Sequence, residues 1–187
     1  MTTNHRLNNE PTKLLVDHID QLPAGRALDL ACGQGRNAIF LAGRGFQVMG
    51  VDRDADAVAA MKLRGLKRGL QLQGTVADME KEPPEFEIPG DFYEVIVVVR
   101  YLWRPLFALI ERGLAPGGWL IYETFTTDQA KLGKPTNPDF LLKPGELKTA
   151  FPGLKVLHYE EGTRPTADGG REAVASLVAR KPAYGES

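Results

Sequence analysis

The run Ala27-Leu28-Asp29-Leu30-Ala31-Cys32-Gly33-Gln34-Gly35-Arg36-Asn37 sets an apolar strand and an acid ahead of a Gly-x-Gly turn and a helix. Glycine lets the backbone come close to a ligand, and a helix start aims N–H groups at it. Gly33 to Ala38 fits the dinucleotide pattern G-x-G-x-x-A, and Asp52 lies about where an acid binds a ribose hydroxyl. Few groups are placed to move a proton. His5 lies in the polar tail, His18 on an apolar helix face and His158 in a strand, where a structural role is the commoner one. Glu123, at the end of a strand, is the best acid–base candidate.

The chain has 187 residues, with 23 basic and 24 acidic side chains and a net charge of −1. That length predicts one domain over 1–187 with a real core, and a polar flexible tail at 1–10. No basic block stands out, which argues against a dedicated nucleic-acid grip. One cysteine excludes an internal disulfide and a Cys-x-x-Cys metal site. The stretch from Met1 to Lys13 lacks the apolar core of a signal peptide, and the longest aliphatic run, Val95 to Val99, is too short to span a bilayer. A cytoplasmic monomer or homodimer with no membrane or nucleic-acid partner is the expectation.

The elements that must position these residues follow from periodicity and punctuation. Helical spacing of Leu14, Leu15, His18, Ile19 and Leu22 starts near Pro11 and stops at Pro23-Ala24-Gly25. Strands are predicted at 26–31, 46–51, 71–76, 93–99 and 119–125, with helices at about 36–44, 54–68 and 105–113 between them. Asp54 is placed to cap the second of these helices, which leaves Asp52 for a ligand. Residues 80–90 and 126–142 read as loops, 145–151 as a short helix, and 154–160 and 172–180 as a terminal strand pair joined by a connector over 162–170. Alternating strands and helices that end in a hairpin predict a doubly wound α/β sheet with an antiparallel edge.

Asp29-x-x-Cys32-Gly33-x-Gly35 resembles the first motif of class I S-adenosylmethionine-dependent methyltransferases. Leu114-Ala115-Pro116-Gly117-Gly118 is similar to the turn these enzymes carry before strand five, and Val51-Asp52 and Ala77-Asp78-Met79 match their second and third motifs. Within that class, Gly33-Gln34-Gly35-Arg36-Asn37, Gly45-Phe46-Gln47-Val48, Leu141 to Leu147 and Val178 to Lys181 resemble the tellurite-resistance methyltransferase family. Tyr122-Glu123-Thr124-Phe125 and residues 126–140 depart from it. The resemblance covers about 24–180 and implies a Rossmann-like seven-stranded sheet in the order 3-2-1-4-5-7-6, the last strand antiparallel. It also implies S-adenosylmethionine as cofactor, no metal, and a small-molecule acceptor, anionic or chalcogen-containing.

The resemblance assigns the site as follows. Asp29 lies near the methionine ammonium, or braces the glycine turn. Gly33 and Gly35 approach the cofactor, with Ala31, Asn37 and Arg53 beside them. Asp52 takes the ribose hydroxyls, Asp78 accepts from the adenine amino group, and Met79 packs on the ring. Arg100 and Tyr101 border the methionine portion. Glu123 and Tyr101 are the catalytic expectations, and Tyr101, Trp103, Glu123, Arg164 and Arg171 face the acceptor. Packing explains Tyr101 and Trp103 equally well, and ordinary solvated arginines are an equal reading of Arg164 and Arg171. Asn137-Pro138-Asp139-Phe140 looks like an amino-methyltransferase motif but follows the wrong strand, so a plain loop is the better reading. The competing classes are a nucleic-acid or protein methyltransferase, a non-catalytic S-adenosylmethionine-binding protein and a nicotinamide-binding Rossmann protein. A dehydrogenase would need a second mononucleotide half, for which 187 residues leave little room.

Overall fold

The computed structural model describes residues 9–186. His5 and most of the tail expected at 1–10 therefore lie outside the described residues. The strands are β1 (Arg26–Leu30), β2 (Gln47–Asp52), β3 (Leu72–Val76), β4 (Tyr93–Val99), β5 (Leu114–Phe125), β6 (Lys155–Pro165) and β7 (Arg171–Arg180). They form one sheet in the order β3-β2-β1-β4-β5-β7-β6. β1 to β5 pair in parallel, and β7 runs antiparallel to both β5 and β6.

The aliphatic run of β4 sits at the sheet centre with Val95 to Val98 fully buried, as a strand covered on both faces must be. One face packs α1 (Lys13–His18), α2 (Arg36–Gly43) and α3 (Ala55–Lys67) over Ala27, Val48, Val95 and Val97. The other packs α4 (Phe107–Gly113) and α5 (Glu146–Thr149) with Phe151 over Leu28, Leu30, Ile96 and Tyr122. α3 starts where its cap dictates: the Asp54 carboxylate accepts from the N–H groups of Asp56 and Ala57.

Three boundaries differ from the sequence expectation. The first helix is shorter, because it tightens into a 3₁₀ turn at Ile19–Gln21. β5 begins at Leu114, not 119, and the Pro116-Gly117-Gly118 turn lies inside it as a register irregularity against β4. A side chain at Gly118 would meet the backbone oxygens of Ala115 and Tyr93 at 2.7 and 2.9 Å, which only glycine avoids. The first four residues of the connector expected at 162–170 are strand. Gly162, Thr163, Arg164 and Pro165 pair with Val174, Ala173, Glu172 and Arg171, so the turn shrinks to residues 166–170.

Met61 of α3 plugs the space between three glycines. A Cβ on Gly35, Gly50 or Gly74 would lie 2.2, 2.6 or 2.7 Å from its side chain. Helix and sheet are thus close enough for no extra methyl group. Gly50→Ala should lower stability by about 1–3 kcal/mol through overpacking. The same change in a Met61→Ala background should cost less, because the clashing atoms are gone. Urea denaturation of the four proteins checks this, and additive effects would mean that Met61 is not the constraint.

Candidate functional site

The carboxyl ends of β1, β2 and β4 and the first residues after β3 open on a cavity of about 470 Å³. Ligands of open α/β sheets bind at this edge, where the strand order reverses. Its walls include Ala31, Asp52, Asp78, Met79, Arg100 and Tyr101, and across from these Thr124, Phe125, Pro135 and Phe140. A second groove of about 720 Å³ lies at the opposite edge, against Gln47, Gln71 and Gln73.

Asp52 is fixed from two sides. Its Oδ2 accepts from the N–H of Gly33 at 2.8 Å, and its Oδ1 from that of Asp54 at 2.9 Å. Each oxygen keeps a second lone pair for a ligand. The turn itself closes through Cys32 N–H to the Val51 carbonyl and Gly35 N–H to the Cys32 carbonyl. Gly33 and Gly35 both have positive φ, 51° and 78°. So do Ala31 and Arg100, at 54° and 57°, although neither is glycine. Both border the cavity, and backbone strain held at such a place marks a functional edge. At the β4 end, the Arg100 N–H donates to the Glu123 carbonyl, and the buried Tyr122 hydroxyl donates to the Tyr101 carbonyl at 2.9 Å.

Asp78 and Met79 form the wall beyond β3. The Glu80 N–H donates to Asp78 Oδ1, which sets the turn, and Met79 is buried. Arg53 is exposed, 3.9 Å from Glu80. Tyr101 lies on the same wall. Burial, and then the charges of Glu80 and Asp78, push its hydroxyl well above the usual phenol range, so it stays protonated.

Eight predicted positions stand off the cavity lining, Gly33, Gly35, Glu123 and Arg164 among them. Asp29 is buried beneath the turn and accepts from the Ala38 N–H at 3.0 Å, which anchors the start of α2. Asn37 is buried with its Oδ1 on the Thr12 N–H. Trp103 is half-buried against the core, and Arg171 is an exposed residue at the start of β7.

Glu123 is 3 % exposed and fully engaged. Arg164 donates to both its oxygens, at 2.9 and 2.8 Å, Ser176 donates at 2.7 Å and Thr12 at 3.1 Å. Burial works to raise its carboxyl; the Arg164 and Ser176 hydrogen bonds, the Arg164 charge and the Thr12 hydroxyl outweigh it and hold the group below the usual range. Glu172, also buried, takes a bond from Arg164 at 3.0 Å and one from Arg100 at 2.9 Å. Glu123 and Arg164 were read as separate acceptor-facing groups; the fold joins them into one ion-pair network. Sequence reasoning missed Glu172, Ser176, Pro135 and Phe140. Nothing local marks Glu172 or Ser176, which is 53 residues from Glu123, and Pro135 and Phe140 lie in the segment read as a loop.

Among the described residues no cluster of three or more His, Cys, Asp or Glu side chains could hold a metal, and no helix is long and apolar enough to cross a membrane.

Sheet order, glycine turn and edge cavity define the class I S-adenosylmethionine-dependent methyltransferase fold. The crystal structure of TehB from Haemophilus influenzae superposes with a TM-score of 0.75 at 23% identity, over 89% of this chain and 61% of that one. The family model described as "Tellurite resistance protein TehB" matches residues 5–169, and the chain belongs to that family. It is 28% identical over 164 residues to a protein named Hemagglutinin 1 from Eikenella corrodens, covering 86% of this chain and 52% of the relative. It is 26% identical over 152 residues to the probable S-adenosyl-L-methionine-dependent methyltransferase TehB of Haemophilus influenzae strain 10810, covering 79% and 52%. The chain thus spans about half the length of the curated relatives it matches.

The Asp29 carboxyl is pushed up to about 7, first by burial, with the Ala38 hydrogen bond and Arg36 opposing and Asp52 adding to the rise. An unfolded aspartate titrates near about 3.9. Between these values the unfolded chain ionises while the folded one keeps its proton. Stability should therefore fall as pH rises from about 4 to 7, and the loss should level off above. Asp29→Asn should remove that decline. Urea midpoints at pH 5 and pH 8 check it; the same pH dependence in both proteins would show that Asp29 is ionised in the fold.

Proposed function

We propose that this protein is an S-adenosylmethionine-dependent methyltransferase acting on a small-molecule acceptor. The observation that carries the reading is the edge cavity, where Asp52 and Asp78 stand on one wall and the strained residues Ala31 and Arg100 mark the strand ends. Its volume lies within the range of about 300–1,000 Å³ typical of small-molecule sites. The name of the Haemophilus relative supports the same activity.

The residues fit the cofactor's chemistry. Asp52 would hold the ribose hydroxyls through its remaining lone pairs, and Asp78 with Met79 would hold the adenine. Ala31, Gly33, Gly35 and Arg53 would bring backbone and charge around the rest, with Arg100 and Tyr101 at the methionine end. Asp29 and Asn37 would act from beneath, by fixing the first turn of α2 and the Thr12 segment. When bound, S-adenosylmethionine supplies a methyl group already activated on a sulfonium. The chain's own task is then to align the acceptor and exclude water. Tyr101 stays protonated and Glu123 is enclosed by donors, so the acceptor must be a competent nucleophile without a strong protein base. The chalcogen expectation agrees with that demand and with the family's name. The arginine fork expected to hold an anion is occupied by Glu123 instead.

Calorimetry should show binding of S-adenosylmethionine and S-adenosylhomocysteine and none of NADH. Asp52→Ala should weaken S-adenosylhomocysteine by about 1.5–3 kcal/mol while circular dichroism stays unchanged. Tight NADH binding, or an unchanged dissociation constant in the folded variant, would refute the assignment.

A further inference from the structure

The edge cavity has two chemically different halves. β2 and the turn after β3 bring Asp52, Arg53, Asp78 and Glu80. β5 and the loop behind it bring Thr124, Phe125, Pro135 and Phe140, none of them charged. β5 stands on the far side of β4 from β2 and β3, so the two sets enter from opposite ends.

Arg100 and Arg164, near the second half, are already paired. Arg100 is 2.9 Å from Glu172 and lies over the Phe125 ring, 5.5 Å from its centre. Arg164 grips Glu123 with both terminal nitrogens and also reaches Glu172. A small oxyanion at Arg164 would compete with two buried carboxylates, Glu123 and Glu172, for the same guanidinium. Arg36 donates to the Glu10 carbonyl and stands outside the cavity lining.

Arg104 clamps the part of the apolar wall that carries Phe140. Arg104, just after β4, pairs with Glu146 of α5 and donates to the carbonyls of Asp139 and Leu141, both at 3.0 Å. These two carbonyls flank Phe140. The Asn137 side chain accepts from the Asp139 N–H and closes the same turn. Phe140 is 44% exposed on this clamped backbone. A rigid aromatic surface binds a flat apolar group with little ordering cost.

Resting on the methyltransferase reading above, we propose that the acceptor is a neutral thiol with a flat apolar body, held against Phe125, Phe140 and Pro135. The acceptor sulfur's lone pair forms the new bond to the methyl carbon. The bond from that carbon to the cofactor sulfonium breaks, its electron pair stays on the cofactor sulfur, and the thiol proton passes to water. Phe140 and Phe125 set specificity, and Arg104 is a positioning residue acting through the loop.

The test uses phenylmethanethiol and tellurite as probes, titrated separately into protein saturated with S-adenosylhomocysteine. Phenylmethanethiol should bind about tenfold more tightly than tellurite. Phe140→Ala should weaken it by at least about fivefold and leave S-adenosylhomocysteine unchanged, with Phe140→Leu falling between. Tighter binding of tellurite, no binding of phenylmethanethiol, or a loss of S-adenosylhomocysteine affinity in Phe140→Ala would overturn the proposal while the methyltransferase reading stands. Failure of the unmodified protein to bind S-adenosylhomocysteine would overturn both.

Discussion

The Asp52 carboxylate ties together the turns that open two helices at the cavity edge. One oxygen holds the Gly33 N–H ahead of α2, and the other holds the Asp54 N–H ahead of α3. The end of β2, the glycine turn after β1 and the starts of two helices therefore have one geometry. Two charge-assisted bonds to backbone amides are stronger than neutral ones, and here they act on a turn that only glycine enters without strain. Met61 completes the arrangement from the helix side by filling the room that Gly35, Gly50 and Gly74 leave open. Moving any of these parts would move the cavity wall.

The antiparallel end of the sheet is joined to that edge by charge. Glu123 on β5 is reached by Arg164 on β6, Ser176 on β7 and Thr12 ahead of α1. Glu172 on β7 extends the same network to Arg100 at the end of β4. A buried pair of this kind adds little net stability over an apolar replacement, yet removing one partner is costly. Its consequence here is positional. The network fixes the end of β4 against β5, β6 and β7, and it pairs Arg100 and Arg164.

The two ends of the cavity differ because different elements build them. The acids come from strand ends and the turns that follow, where short carboxylates also satisfy backbone N–H groups. The apolar wall comes from the loop after β5, whose backbone is satisfied by Arg104 and Asn137. The proposed methyl transfer, driven by alignment, would use this division, with the donor at the polar end and the acceptor at the apolar one.

Glycines with positive φ, the Asp54 cap and the aliphatic periodicity of β4 act within a few residues, so the amino-acid order alone determined the strand–turn–helix start and the alternation of strands and helices. The resemblance of the motifs then implied the sheet order that the structure shows. The extent of β6 and β7 was not legible, because Gly162 to Pro165 reads as a loop until β7 offers it a partner. The same holds for the site. Asp52 was readable from its spacing to Gly33. The surroundings of Glu123 were not, since Arg164 is 41 residues away, Ser176 53 and Thr12 111. Phe140 resembled a plain loop residue and lines the cavity in a loop that Arg104 helps to hold, through a bond to the Asp139 carbonyl that spans 35 residues. Local conformational preference is written in neighbouring residues; the pairing of buried charges and the placement of a loop wall are decided by which distant groups the packed sheet brings within hydrogen-bonding distance.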